Sequence, residues 1–159
     1  MEFKSKTFLE LTTMQLFEIL RARSRVFVVE QTCPFQDPDD ADYESLHIFR
    51  EDENGKIAAY MRVFPKHDEE GCVQMGRVLT IKRGAGLGGL ILKEGIREAR
   101  DRMEARKIYL ESQTYATGFY AREGFETVGE EFLEDGIPHI GMYLDLDGWK
   151  EDGAPSDGD

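Results

Sequence analysis

The chain has 159 residues, 40% of them hydrophobic, which fits one domain built around a single sizeable core. With 32 acidic against 20 basic residues its formal net charge is -12, which argues against non-specific attraction to nucleic acid or an anionic membrane. Two cysteines, Cys33 and Cys72, are too few for a disulfide scaffold, and neither stands in metal-ligand spacing with His47, His67 or His139, so no metal is expected.

The N-terminus lacks the apolar core of a signal peptide and no apolar run approaches membrane-spanning length, so the expectation is a soluble, cytoplasmic protein. The acidic bias fits a high-salt cytoplasm or an ordinary solubilising surface equally. Phe3 to Leu9 reads as a short first strand. Thr12-Thr13 reads as an N-cap, followed by Met14, Leu16, Phe17, Ile19, Leu20, Val26 and Phe27 at helical spacing, which predicts a helix over Thr13 to Phe27. Val28 to Asp40 carries two prolines and several acids and is expected to be a loop, with its apolar first half packed over something.

Leu46 to Arg50 and Ile57 to Phe64 flank an acidic linker containing Asn54-Gly55, a hairpin signal. Cys72 to Ile81 returns as a third strand, in which Gly76 suggests a bulge or a close backbone approach. Leu87, Leu90, Ile91, Ile96, Ala99 and Met103 mark the stripe of a long helix that ends in the charged run Arg100 to Lys107. Ile108 to Ser112 then reads as a strand parallel to the third one through a right-handed crossover. Thr114 to Arg122 reads as a short helix stopped by Gly124. Phe125 to Phe132 and His139 to Leu146 close the pattern as two strands joined by Leu133 to Pro138. The expected domain spans 1–146, and 147–159 is expected to be an acidic, frayed tail. The order of elements predicts an α/β (α+β) fold with a mixed sheet.

Between the third strand and the long helix stands Arg83-Gly84-Ala85-Gly86-Leu87-Gly88-Gly89. A glycine-dense turn leading from strand into helix presents backbone N–H groups at a helix N-terminus, where they and the dipole can hold a phosphate or pyrophosphate. A plain connecting turn would look the same. No Gly-Lys-Ser or Gly-Lys-Thr follows, so the turn is not a Walker A loop, and the missing parallel half makes it a poor dinucleotide fingerprint.

Arg83-x-x-Gly86-x-Gly88 after a hydrophobic strand, followed by Phe119-Tyr120-x-x-x-Gly124-Phe125 after the next one, resembles the GNAT (Gcn5-related) N-acetyltransferase family. Val26 to Gln36 and Glu134 to Met142 resemble its ElaA-like branch, so the resemblance runs from about Leu16 to about Leu144. It implies a mostly antiparallel central sheet with a parallel, splayed strand pair, flanked by helices, and acetyl-CoA as co-substrate. It implies acetyl transfer to a primary amine by direct attack; a non-catalytic acyl-CoA-binding or sensor module is the alternative. Backbone groups of Val78, Leu79 and Thr80 would bind the pantetheine and polarise the thioester. Amides of Arg83, Gly84, Ala85, Gly86, Leu87, Gly88 and Gly89 would take the pyrophosphate.

Tyr120 matches the family's usual general acid, although beside Phe119 and Phe125 it also reads as a core aromatic. Glu111 and His139 are the other catalytic candidates, with Glu30, Gln31, His47 and Arg77 expected to face the substrate, and a water chain can replace any of them as base. Cys33 reads as a structural thiol, since direct attack by an amine needs no acyl-enzyme. The expected partner is a small-molecule or peptide amine, met by a monomer or homodimer.

Overall fold

The computed structural model describes residues 2–82 and 86–151. Seven strands, β1 (Lys4–Thr7), β2 (Leu46–Glu51), β3 (Ile57–Pro65), β4 (Cys72–Thr80), β5 (Lys107–Gln113), β6 (Glu126–Glu134) and β7 (Ile137–Asp145), form one mixed sheet in the order β1-β2-β3-β4-β5-β7-β6. β4 and β5 are the parallel pair, with Cys72–Gln74 beside Lys107–Tyr109. The β1–β2, β2–β3, β5–β7 and β6–β7 pairs are antiparallel. Helices α1 (Thr13–Arg23), α2 (Ala41–Glu44), α3 (Leu87–Asp101) and α4 (Thr117–Ala121) flank the sheet. Among the described residues no helix is long and apolar enough to cross a membrane. The chain gathers into two units, one holding the chain up to Pro65 with Met75–Gly95, the other Lys66–Gln74 with the chain from Ile96.

In the first unit, Thr12 caps α1 as expected: its Oγ1 accepts the Gln15 N–H at 3.0 Å while Gln15 Oε1 accepts the Thr12 N–H at 3.0 Å. The loop expected from Val28 onward starts later. Ser24–Val29 continues the helix as a π-helical turn, and the chain leaves it through a Schellman motif. There the Cys33 N–H reaches Val28 O at 3.1 Å and the Thr32 N–H reaches Val29 O at 3.2 Å, with Thr32 left-handed at φ +49°. Val26 and Phe27 pack on the core of Ile19, Ala22, Phe49, Ile57, Tyr60 and Leu79. That burial outweighs the weak helix propensity of Val-Phe-Val-Val. The four-residue α2 is an addition to the expected elements.

The β2–β3 hairpin forms as expected. Asp52 Oδ1 accepts the N–H groups of Asn54 and Lys56 at 2.8 and 3.0 Å, and Gly55 supplies the positive φ. Leu46–Phe49 and Ala59–Val63 are buried at every position, the pattern of strands covered on both faces. On α3, a Cβ at Gly95 would fall onto Sδ and Cε of Met61, a fully buried side chain, and lie 3.4 Å from Met75 Cε.

In the second unit, Ile108, Leu110 and Ser112 are buried while Tyr109, Glu111 and Gln113 stand on the more open face, the alternation of a strand. Leu144 and Met142 of β7 lie opposite Ile108 and Leu110. β6 and β7 run closer together than the sequence suggested. Their turn is only Asp135-Gly136, both left-handed at φ +52° and +79°, the geometry of a two-residue hairpin turn, so Leu133, Glu134, Ile137 and Pro138 belong to the strands. The helix expected over Thr114 to Arg122 is a 3-10 turn, Thr114–Ala116, followed by α4. Gly124, at φ +105°, turns the chain out of it. α3 stops at Asp101, inside the charged run. At the far end Leu146–Gly148 forms a 3-10 turn, and Trp149 is held by its Nε1–H on Glu123 Oε1 at 3.2 Å and by the Arg100 guanidinium 5.5 Å from its ring centroid. Order thus reaches past Asp147, where the tail was expected to begin.

Gly95→Ala is expected to lower the unfolding free energy by about 1–3 kcal/mol, because the added methyl must displace the buried Met61 thioether. Chemical denaturation of the two proteins side by side checks this, and an unchanged midpoint would show that Met61 repacks freely.

Candidate active site

The expected cofactor residues lie in the first unit. Leu79 is buried, with Val78 and Thr80 half-buried on either side. Just before them Arg77 is left-handed, at φ +53°, so the backbone irregularity in this stretch falls beside Gly76 rather than on it. Nothing lies within 4 Å of a Cβ built on Gly76, and the close-approach alternative finds no partner among the described residues. Past the turn, Gly86 is left-handed at φ +74° and Leu87 opens α3. Among the described residues the first helical bond is made by the Leu90 N–H to Gly86 O at 3.4 Å, with the N–H groups of Leu87, Gly88 and Gly89 ahead of it. A Cβ at Gly86 or Gly89 would meet nothing within 4 Å, and no acidic side chain occupies the first turn. Among the described residues nothing crowds the backbone at Gly86 and Gly89, and the dipole of a 15-residue helix favours an anion. Arg83, Gly84 and Ala85 lie outside the described residues.

The four residues expected to face the substrate are also in this unit. Glu30 is exposed, with its Oε2 3.2 Å from Arg25 Nε, and Gln31 is half-buried. His47 is buried and its ring is used up inside the fold: Nδ1 lies 2.7 Å from Tyr60 Oη and Nε2 lies 3.0 Å from Asp42 O. A carbonyl only accepts, so Nε2 carries the proton and Nδ1 accepts from the tyrosine. Burial pushes the imidazolium form down, which keeps the ring neutral. Arg77 Nε lies 2.7 Å from Asp37 Oδ1, and Nη2 donates to Asp37 O at 2.9 Å.

Both side chains lead to a network that the sequence did not disclose. Arg23, with no exposed surface, donates to Asp37 Oδ2 at 2.8 Å, to Asp42 Oδ1 and Oδ2 at 2.7 and 3.1 Å, and to Tyr60 Oη at 3.3 Å. Arg62 adds bonds to Asp39 at 2.6 and 3.0 Å and to Asp42 at 2.9 Å. Burial alone would raise the Asp42 carboxyl. The hydrogen bond and charge of Arg23, with the charge of Arg62, reverse this and hold it at about 2. The signal available beforehand was a charged residue on the apolar stripe of α1 and another within the apolar run of β3.

The expected catalytic residues lie in the second unit. Tyr120, on α4, is half-buried between Phe119 and Phe125, edge-on to both at centroid distances of 5.0 and 6.0 Å. Its hydroxyl has no hydrogen-bond partner among the described residues. Burial, followed by the neighbouring Tyr115, pushes its ionisation up to about 12, so at neutral pH the phenol holds its proton. Glu111 is exposed on β5, and its Oε2 accepts the Tyr109 hydroxyl at 2.9 Å. Partial desolvation and then the Glu111 charge push the Glu134 carboxyl up. His139, on β7 opposite Gln113, is buried and stacked on Phe132 at 6.0 Å and 25°. Its Nδ1 donates to Ile137 O at 2.7 Å, which leaves the lone pair on Nε2 without a partner among the described residues. Neither cysteine forms a disulfide; Cys72 is buried and Cys33 half-buried. Burial, followed by the charge of Glu69, pushes the Cys72 thiol up to about 11, which makes it an inert group at neutral pH.

Comparison with known proteins shows the family to which the fold belongs. Residues 28–146 match the family described as acetyltransferase (GNAT) domain. A UPF0039 protein of Schizosaccharomyces pombe is 34% identical over 149 residues, 92% of this chain and 98% of its own length. Protein ElaA of Escherichia coli is 36% identical over 141 residues, 86% of this chain and 92% of its own length. The crystal structure of ElaA superposes with a TM-score of 0.82, covering 89% of this chain and 97% of that one. An acyl-CoA N-acyltransferase from Pseudomonas aeruginosa, at 36% identity, superposes with a TM-score of 0.83 and the same coverage.

Arg23→Met is expected to cost about 3–5 kcal/mol of stability, because Asp37 and Asp42 stay buried with one cation fewer. Since the Asp42 carboxyl is held low in the folded chain, its share of stability is complete above the ordinary carboxylate range and is lost as pH falls toward about 2. Denaturation midpoints recorded from pH 6 down to pH 2 should therefore fall less steeply in Asp42→Asn than in the native protein.

Proposed function

Because the chain belongs to the GNAT acetyltransferase family, we propose that it transfers the acetyl group of acetyl-CoA to a primary amine by direct attack of the amine on the thioester. What carries this reading is the turn at Gly86, which opens into the bare first turn of α3. Its geometry fits a pyrophosphate, since backbone N–H groups stand where side chains would obstruct. The net charge of -12 makes a local site of this kind necessary for so anionic a co-substrate.

The remaining roles follow from the protonation states. Backbone groups from Val78 to Thr80 serve the pantetheine arm and the developing oxyanion, as donors that need no reorganisation. Tyr120, a phenol at neutral pH, gives its proton to the departing thiolate. His139 takes the ammonium proton, because its bond to Ile137 O fixes the tautomer with the lone pair on Nε2. Glu111, exposed beside Tyr109, contributes negative charge that favours a cationic acceptor. His47 has no part in the chemistry, since both ring nitrogens are committed to Tyr60 and Asp42. The work proposed for the chain is in the cytoplasm, where acetyl-CoA is available.

Mixing the protein with acetyl-CoA and a panel of primary amines, and following free thiol, tests the reading. Tyr120→Phe is expected to lower kcat by roughly 10²-fold with little change in the KM for acetyl-CoA. His139→Ala is expected to lose a comparable factor and regain part of it with added imidazole. Tight acetyl-CoA binding without turnover on any amine would instead make the chain an acyl-CoA-binding module.

A further inference from the structure

We propose that Asp37 is a positioning residue of the acyl-CoA site, clamping Arg77 in the left-handed conformation from which the backbone of Val78, Leu79 and Thr80 departs. The inference rests on the reading of those backbone groups as contacts of the pantetheine arm.

The choice of residue at position 77 is the first observation. A φ of +53° is open to glycine at little cost and unfavourable for a long side chain, and the glycine stands one place earlier, at Gly76. A left-handed residue that served only to bend β4 would be less strained as glycine. An arginine persists in such a conformation where its surroundings over-determine it. They do so chiefly through Asp37, with the Asp39 carboxylate a more distant ion-pair partner 3.6 Å from Nη2. Arg77 Nε donates to Asp37 Oδ1 at 2.7 Å, Nη2 donates to Asp37 O at 2.9 Å, and the guanidinium lies 5.6 Å from the Phe35 ring centroid.

Asp37 is in turn unable to follow Arg77. Its other oxygen, Oδ2, accepts from Arg23 Nε at 2.8 Å, and its carbonyl accepts from Arg23 Nη2 at 3.2 Å. Arg23 has no exposed surface and is itself held by both oxygens of Asp42. The clamp is therefore anchored on a buried, fully engaged cation, while its working end, Arg77, is still partly exposed. Hydrogen bonds between ionised partners are short and strongly directional, which suits them to hold one backbone conformation against relaxation. A left-handed residue held rigidly presents the N–H and C=O groups that follow it in a fixed direction, the condition for preorganised contacts.

The test compares two substitutions that remove the same hydrogen bonds and differ in what they ask of the backbone. Arg77→Ala keeps the unfavourable φ without the clamp, whereas Arg77→Gly accepts that φ freely. Calorimetric binding of acetyl-CoA should weaken by about tenfold in Arg77→Ala and by no more than about threefold in Arg77→Gly. Asp37→Asn, which leaves the anchor's size intact but faces an amide donor toward a guanidinium, should fall with Arg77→Ala. Melting temperatures of all three are recorded alongside. Lowered melting temperatures with acetyl-CoA affinity unchanged would overturn the inference, since the pair would then be structural only. Equal weakening in Arg77→Ala and Arg77→Gly would overturn it too, because the side chain and not the backbone would be responsible. If the native chain binds no acetyl-CoA, the parent reading falls and the inference with it; native binding that Arg77→Ala leaves intact removes the inference alone.

Discussion

A guanidinium with no exposed surface has to be neutralised where it stands, and the arrangement of the first unit follows from how Arg23 meets that requirement. Taking such a cation out of water costs several kcal/mol before any attraction is counted. Asp37 and Asp42 supply the countercharge, and each reaches beyond Arg23 to a further arginine: Asp37 to Arg77 on β4, Asp42 to Arg62 on β3. Asp42 also accepts the N–H of Asp39 at 3.1 Å, and its carbonyl takes the His47 proton. Residues 37–42, which look like an irregular acidic connection, are thereby as firmly placed as a strand. The network acts as a unit, because removing one member leaves another charge buried without its partner.

The two halves of the proposed chemistry are prepared by different means. In the first unit the work falls to backbone: a left-handed residue, a bare helix start, glycines with open space around them. Such groups hold anions without side-chain charge, which suits a chain whose net charge would repel them. In the second unit it falls to side chains whose protonation states are set by surroundings. Burial, followed by the neighbouring Tyr115, keeps the Tyr120 phenol protonated, while a single carbonyl decides which nitrogen of His139 bears the lone pair. An acid that keeps its proton and a base with a free lone pair are complementary requirements of acyl transfer to an amine.

Local signals were legible wherever one short stretch decides its own geometry. Thr12 with Gln15 forms the cap that two threonines before an apolar stripe predict, and Asn54-Gly55 forms its hairpin. The Asp135-Gly136 dipeptide carries an equally local hairpin signal, although the expected connection spanned all of Leu133 to Pro138. Helix through Phe27 was legible in the apolar spacing, but its π-helical geometry and its extension to Val29 were not. The β-branched residues there disfavour helix, and what overrides them is burial of Val26 and Phe27 against residues up to 53 positions away.

By itself the sequence determined the order of strands and helices, the glycine turn ahead of α3, the tyrosine on the following short helix, and through these the family. Each of these depends on residue types at fixed short spacings, and spacing is what a sequence records. Only the tertiary structure decided that His47 belongs to a buried network, that His139 Nε2 meets no partner among the described residues, and that Arg77 is left-handed with Asp37 holding it. The last of these depends on charges separated by 40 residues, Asp37 and Arg77, coming within hydrogen-bonding distance. Burial then raises the strength of every such contact, so that partners with no local relation in the chain set one another's conformation and protonation.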